Sequence, residues 1–415
     1  MDKVFSIIEK EKQRQLDTLE LIPSENYVSQ AVLRALGSEM NNKYSEGYPG
    51  KRYYGGNIFV DEIENIAIER AKKLFGTNHA NVQPYSGSPA NMATCFALLE
   101  PGEKLMGMSL SYGGHLTHGH AVNFSARYYG SAQYPTGKDG WLDYDLIEEI
   151  ARRERPKLIF CGATAYSRVF DFRRLGEIAT SVDAFLVADV AHIAGLIIGG
   201  VHPTPVGIAD VITTTTHKTL RGPRGAMILC NGNSSDPLKV PEKTRNNLPS
   251  LIDRAVFPGL QGGPHNHTTA GIAVALGEAL EPSFAEYAKQ IVKNAKVLGA
   301  TLIENGLDVV TGGTDNHLLL LDLTKIGITG KEAETLLDIA GITVNKNTVP
   351  FDKRKPFDPS GIRLGTPVVT TRGMKESHMG LIGDMIVDVL IRKKKPEYVR
   401  ESVFDLCKDF PAFAW

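Results

Sequence analysis

Lys218 stands in the stretch TTTTHKTLRGPRG, residues 213–225, with the apolar runs GIADVI before it and AMILC after it. Both runs read as buried strands. A lysine between them is badly placed, because an ammonium group is costly to bury unless it is paired or loses its proton. An amine whose pKa falls for that reason is suited to forming a Schiff base with an aldehyde cofactor. The ordinary alternative is a turn lysine with its head in water. What decides between the two is whether the chain supplies the other contacts such a cofactor needs.

Ser86, Gly87 and Ser88 stand where a helix begins. Free backbone N–H groups, the helix dipole and two hydroxyls there make a cup for an anion, a phosphate above all; an ordinary helix cap is the plainer reading. The nucleotide signatures GxGxxG and GxxxxGK[ST] do not occur. Asp189 ends the apolar run FLVAD, where open α/β sheets bind ligands, and a carboxylate there suits a protonated pyridine nitrogen; a capping aspartate is the alternative. His192 follows it by three residues and can face the same place.

The segment SYGGHLTHGH carries His115, His118 and His120. Such a cluster raises the possibility of a metal site, but it has no acidic or cysteine partners nearby in sequence. The two glycines before His115 favour close backbone approach and an imidazole stacked on a flat ring, so no metal is expected. His265 and His267 follow a Gly-rich turn and read as structural. Arg363, in SGIRLGTP, is one arginine in an apolar strand; it calls for an anion, either the carboxylate of an amino acid substrate or a carboxylate of the chain itself. A phosphate cup, a carboxylate for a ring nitrogen, a stacking histidine, an amine for an aldehyde and an arginine for a carboxylate all suit one ligand, pyridoxal 5'-phosphate.

Positioning these groups takes a sheet. Apolar runs alternate with helical patterns up to about residue 230, which predicts an α/β fold with a mostly parallel sheet and crossover helices. An amphipathic N-terminal helical arm is expected over residues 1–20, a large cofactor domain over 21–281, and a smaller α+β domain over 282–415. Ser24 is expected to cap the helix that follows it, ARYYGSAQY to form a strand, and residues 231–253 to make a polar surface excursion. The 415-residue chain is 42% hydrophobic and balances 46 basic against 47 acidic residues. That balance gives no global field for nucleic acid or an anionic membrane. The four cysteines lie far apart, without zinc or disulfide spacing. There is no signal peptide pattern and no membrane-length apolar run, so a cytoplasmic setting is expected.

Over nearly its whole length the chain resembles the serine hydroxymethyltransferases of bacterial type. The resemblance is carried by PSENYVS, YSEGYPGKRYYGG, NVQPYSGSPAN, GGHLTHG, ADVAHIAG, TTTTHKTLRGPRG, FPGLQGGP, TGGTDNHL, VNKN and SGIRLGTP, in that order. It implies fold type I of the pyridoxal phosphate enzymes, the aspartate aminotransferase-like architecture, and a homodimer with shared active sites. It further implies Lys218 as the Schiff-base lysine, Asp189 as the partner of the pyridine nitrogen, His115 as the stacking residue, and Ser86, Gly87 and Ser88 around the phosphate. Gly262 and Gly263 would come to that phosphate from the other subunit. Thr164 and His192 would lie near the ring oxygen, Ser24 and Arg363 at the substrate carboxylate. Tyr44, Glu46 and Tyr54 would reach across the dimer, with Arg224 a partner for Tyr54, and His217 would bear on reaction specificity. Folate contacts would fall to Leu110, Gly114, His115, Leu116, Asn347, Lys355, Pro356 and Phe357.

The implied reaction converts L-serine and tetrahydrofolate to glycine and 5,10-methylenetetrahydrofolate, with Glu46, in an apolar tyrosine-lined pocket, moving the proton of the serine hydroxyl. Pro23 stands where alanine is common, Lys355 replaces a small polar residue beside the folate pocket, and residues 231–253 are longer than the family pattern. Two other readings compete: a folate-independent aldolase of the same fold, threonine aldolase-like, and a catalytically silent relative acting as a binding protein.

Overall fold

The computed structural model describes residues 2–233 and 242–414. Seven strands form the central sheet: β1 His79–Asn81, β2 Lys104–Met108, β3 Gly130–Tyr134, β4 Leu158–Cys161, β5 Phe185–Asp189, β6 Val211–Thr215 and β7 Ala226–Cys230. Their spatial order is β1-β7-β6-β5-β4-β2-β3. The pairs from β3 to β6 are parallel, and β7 runs against both its neighbours. Apolar residues on both faces explain the near-continuous hydrophobic strands, since helices cover a parallel sheet on two sides. One face packs Met106, Ile159, Leu186 and Ile212 under helices Tyr144–Glu154 and Phe172–Ser181. The other packs Leu105, Phe160, Val187 and Ile228 under helix Gly87–Leu98.

A second, four-stranded antiparallel sheet combines β8 Asp308–Val309, β9 Leu318–Asp322, β10 Asn345–Asn347 and β11 Gly361–Gly365 in the order β8-β9-β11-β10. The long helix Pro282–Glu304 serves both cores. Its Phe284, Ala288 and Ile291 join the large core, and its Leu298 and Leu302 join the small one. A division at Pro282 therefore runs into a helix that both bodies share. The N-terminal helix spans Lys3–Asp17 and buries no side chain. Leu19 and Leu21, just beyond it, pack in the small core, and Leu19 pairs with Ile342.

Several local expectations need correction. Ser29, not Ser24, caps the helix Gln30–Leu36, its hydroxyl accepting from Val32 N–H at 3.2 Å. The segment ARYYGSAQY divides into the end of the helix Phe124–Tyr128 and the strand β3. Residues 234–241 of the expected surface excursion lie outside the described residues. Its second half is a helix, Leu248–Arg254, whose Leu248, Leu251 and Ile252 are buried. Apolar residues at i, i+3 and i+4 give it a core face that its Pro and Asn content obscured. The four cysteines are free and buried, and no helix among the described residues is long and apolar enough to cross a membrane.

Candidate active site

The site is built from residues at and just beyond the C-terminal ends of four parallel strands, on either side of the point where strand order reverses between β2 and β4. Open α/β sheets bind ligands at such a point. β2 leads to Gly114 and His115, β4 to Thr164, β5 ends on Asp189, and β6 leads to His217 and Lys218. A side chain on Gly114 would run into the carbonyl of Met108, so only glycine lets this loop fold back on its strand.

Asp189 is held by three donors. Asn91 Nδ2 and His118 Nε2 meet its Oδ2 at 2.8 and 3.0 Å, and Ala191 N–H meets its Oδ1 at 3.1 Å. Burial pushes this carboxyl up, but the His118 hydrogen bond and charge outweigh it and hold the group below the usual carboxylate range. His118 lies flat on Phe160, ring centroids 4.7 Å apart. His115, His118 and Asp189 bring their ligand atoms within 4.8 Å of one another. One oxygen of Asp189 already accepts from both His118 and Asn91, an arrangement of hydrogen bonds rather than of converging free lone pairs.

His115 Nδ1 accepts from the backbone N–H of Thr117 at 3.2 Å and lies 2.7 Å from its hydroxyl. The ring proton is thereby placed on Nε2. Burial, then His118, lowers the His115 pKa to about 4, so the ring is neutral. Burial likewise drives His192 well below its ordinary value, with Lys218 and Arg363 adding to it. His192 Nδ1 lies 3.4 Å from Nε2 of His317. Thr164 spends its hydroxyl on the carbonyl of Gly114 at 2.9 Å.

Lys218 makes no ion pair among the described residues. Burial is the main reason its pKa falls to about 8; Asp189 opposes the fall, and Arg363 and Arg224 deepen it. Arg363 comes from β11 of the second sheet. It is buried, donates through Nε to Asn345 Oδ1 at 3.1 Å and through Nη1 to the carbonyl of Thr164, and has no carboxylate partner among the described residues. A buried guanidinium whose only acceptors are neutral is prepared for an anion from outside.

Ser86 takes the N-cap position of the helix Gly87–Leu98 in extended backbone, with no side-chain capping bond. Its hydroxyl makes no capping bond at the start of a twelve-residue helix, an arrangement that suits an anion. Ser88 is exposed beside it. A lysine with a lowered pKa, a carboxylate held ionised, a neutral histidine and this uncapped helix start fit the ring, aldehyde and phosphate of pyridoxal phosphate.

Ser24 and His217 line one cavity of about 350 Å³ with Glu25 and Arg224. Burial, with Lys218 and Arg224, lowers His217 to about 3.

A second group gathers apart from Lys218 in the contacts it makes. Tyr44 meets Tyr54 edge-on at 5.3 Å, and Gly263 and Gly262 lie against Tyr44 and Glu46 of the same chain. Tyr85 donates to the Gly263 carbonyl at 2.9 Å and stacks on His265 at 4.1 Å. The loop presenting this group is pinned by Arg52, which pairs with Asp61 at 2.8 Å and Glu64 at 2.5 Å. Tyr44 is 59% and Tyr54 46% exposed. A single chain thus leaves Glu46 half-buried, without the closed tyrosine-lined pocket expected around it, and Arg224 exposed.

The residues expected at folate occupy two facing loops. Leu110, Gly114, His115 and Leu116 follow β2; Asn347 ends β10; Lys355, Pro356 and Phe357 are exposed beyond it. The loops are joined where Thr348 donates to the Ser111 carbonyl at 3.2 Å and Tyr112 meets Phe351 at 5.2 Å. Sequence reasoning gave no role to Asn91, His317 or Asn345. Asn91 had a signal, an amide in the apolar helix sequence GSPANMATCFAL; His317 and Asn345 had none beyond standing in matched motifs.

Comparisons with known proteins agree on one family. A family model described as serine hydroxymethyltransferase matches residues 1–386. A serine hydroxymethyltransferase of Acidothermus cellulolyticus is 55% identical, covering 98% of this chain and 95% of that protein. One from Desulfotalea psychrophila is 52% identical, covering 99% and 94%.

Proposed function

The chain belongs to the serine hydroxymethyltransferase family, and we propose how its own residues carry the one-carbon unit of L-serine to tetrahydrofolate, giving glycine and 5,10-methylenetetrahydrofolate. Pyridoxal phosphate, when bound, supplies the electron sink for breaking the Cα–Cβ bond of serine. Lys218 holds its aldehyde carbon. Asp189 holds the proton on the ring nitrogen, through the lone pair that Ala191 leaves on Oδ1. His115 covers the ring face, and Thr164 and His192 flank the ring oxygen. Ser86, Gly87 and Ser88 take the phosphate.

Arg363 and Ser24 would hold the substrate carboxylate and so orient serine at the site. Glu46 moves the proton of the serine hydroxyl, and His217 bears on which bond breaks. Leu110, Gly114, Leu116, Asn347 and residues 355–357 form the walls for tetrahydrofolate.

Glu46, Tyr44, Tyr54, Gly262 and Gly263 serve the site of a second copy in a homodimer. Support comes from Phe5, Ile8, Tyr44, Tyr53, Ile58 and Phe59, each at least 51% exposed. Large apolar side chains left in water in such numbers mark an interface. Free, buried cysteines support a reducing, cytoplasmic setting.

The observation that carries the reading is Arg363, a buried guanidinium with no carboxylate partner among the described residues, brought by the second sheet near enough to Lys218 for its charge to bear on that amine. The names of the relatives weigh against a folate-free aldolase or a silent binding protein. An absorbance spectrum tests the proposal. Purified protein with pyridoxal phosphate should show a visible band from the lysine-bound cofactor that shifts on adding glycine and again with tetrahydrofolate. A protein that stays colourless, or a band indifferent to tetrahydrofolate, would contradict it.

A further inference from the structure

Asn91 lies on the helix that begins at the phosphate cup, one and a half turns beyond Ser86, and is 1% exposed. Every polar hydrogen and the oxygen of its amide are engaged. Nδ2 donates to Asp189 Oδ2 at 2.8 Å and to Thr117 Oγ1 at 2.8 Å, and Oδ1 accepts from the Thr213 hydroxyl at 2.7 Å. Thr213 sits directly across from Asp189 on the neighbouring strand. Thr117 Oγ1 accepts from Asn91 and sends its own hydrogen to His115 Nδ1, which the Thr117 N–H marks as an acceptor. The direction of donation is thus set along the whole chain: Thr213 to Asn91, Asn91 to Asp189 and to Thr117, Thr117 to His115.

We propose that Asn91, braced by Thr213, is a positioning residue that locks Asp189 and His115 to each other, so that the carboxylate for the ring nitrogen and the imidazole for the ring face are set by one amide. The geometry leaves little choice of orientation. A flipped amide would turn its oxygen toward Asp189 Oδ2, two acceptors face to face, and its NH₂ toward Thr213. Asp189, which can only accept, sets that orientation, and the Thr213 hydroxyl completes it by donating to the amide oxygen. His118 also donates to Oδ2 and its ring lies 5.6 Å from that of His115, but that ring contact carries no hydrogen bond to His115, whereas the path through Asn91 does. With Asn91 in place, Oδ2 is filled by two donors and Oδ1 by one, which fixes the oxygen that remains for the ring nitrogen.

This inference rests on the reading above for the identity of the ligand, but not for the hydrogen-bond geometry. The test uses the full chain with Thr213→Val, which removes the hydroxyl at almost constant shape, Thr213→Ser, which keeps it, and Asn91→Ala. Two quantities are measured. One is the dissociation constant for pyridoxal phosphate, by absorbance titration. The other is the ¹⁵N shift of His115 Nδ1 in cofactor-free protein, by NMR of labelled histidine. Thr213→Val and Asn91→Ala should weaken pyridoxal phosphate roughly tenfold or more, the scale of a lost hydrogen bond to a charged group. The backbone N–H of Thr117 keeps the ring proton on Nε2 in each variant, but the His115 Nδ1 signal should move as the Thr117 hydroxyl loses its fixed direction, and Thr213→Ser should restore both. Binding within about twofold of the unmodified chain with an unmoved His115 Nδ1 signal in Thr213→Val would overturn the proposal. Should Asn91→Ala fail to fold, the Val and Ser pair still decides. An unmodified chain that binds no pyridoxal phosphate would sink the functional reading instead, while the His115 Nδ1 signal would still test the positioning.

Discussion

Arg363, from the second sheet, and Lys218, just beyond β6, are two largely enclosed basic groups, and the charge of the first bears on the second. The Arg363 charge is the largest of the charges that, after burial, hold Lys218 down to about 8. Burial alone holds Arg363 down to about 10. Among the described residues Asp189 opposes that effect on Lys218, and an anionic substrate would relieve it further. Arg363→Leu should therefore weaken glycine and serine by roughly a hundredfold or more, the scale of a lost bidentate ion pair. It should also raise the Lys218 pKa. Titrating the cofactor-bound protein with glycine checks the first effect, and the pH dependence of pyridoxal phosphate uptake checks the second.

Lys218 also predicts a pH dependence for the unmodified chain. Its amine takes an aldehyde only when neutral, so uptake of pyridoxal phosphate should rise with pH and level off above about 8. In the unfolded chain the same lysine keeps its proton up to about the ordinary 10.5. The folded state binds fewer protons between those values, so this group's contribution to stability grows as pH rises from about 8 to 10.5. Stopped-flow uptake and thermal midpoints of the cofactor-free protein across that range would read both.

The phosphate cup can be closed with one methyl group. A Cβ on Gly87 would come 2.8 Å from Cγ2 of Thr215, at the end of β6 just before Lys218. Gly87→Ala should force that threonine or the helix start to shift. Roughly a tenfold loss of pyridoxal phosphate affinity is expected, with pyridoxal lacking the phosphate much less affected. Equal losses for both would show that the helix start does not receive the phosphate.

Glu25, which sequence reasoning passed over, lies in the cavity with Ser24 and His217. Burial and the neighbouring Glu20 raise its pKa to about 7, with Arg14 opposing. A raised carboxyl stabilises the fold below the unfolded value of about 4.5 and loses that contribution as pH rises through about 7. Glu25 keeps much of its surface in water, so screening holds the effect below about 1 kcal/mol. Glu25→Gln should flatten the fall in thermal midpoint between pH 5 and pH 8 by roughly 1–2 °C.

Much of the site was legible because strand ends are legible. An apolar run ending in Asp189, and another followed by His217 and Lys218, name their own positions in a parallel sheet, and the structure brings these residues to one edge. Arg363 was legible as a charge in an apolar strand. The buttressing was not: Asn91 meets Asp189 across 98 residues and His192 meets His317 across 125. A hydroxyl or amide gives no periodic signal of its partner. Ser24 and Ser29 show the same limit locally, since either could cap the following helix until the backbone between them is known. The helix Leu248–Arg254 was hidden by the Pro- and Asn-rich sequence leading into it and by Ser250, Asp253 and Arg254 within it.

Glu46 is where the chemistry is most exposed to test. Glu46→Gln removes the proton-carrying oxygen at almost constant shape. Cofactor and serine binding should stay within about threefold, while tetrahydrofolate-dependent turnover should fall roughly a hundredfold or more, the scale of a lost general acid–base group. Mixing this variant with Lys218→Ala would show whether Glu46 works across the dimer, because one composite site would then hold both intact groups. Recovery of part of the activity is the result expected.

The most direct measurement is the rate at which the purified chain converts L-serine to glycine with and without tetrahydrofolate, set against its cleavage of L-threonine without folate. Serine conversion that depends on tetrahydrofolate, exceeds threonine cleavage and disappears in Lys218→Ala is the predicted result. Threonine cleavage that outpaces a folate-indifferent serine reaction, or serine conversion that survives loss of Lys218, would contradict it.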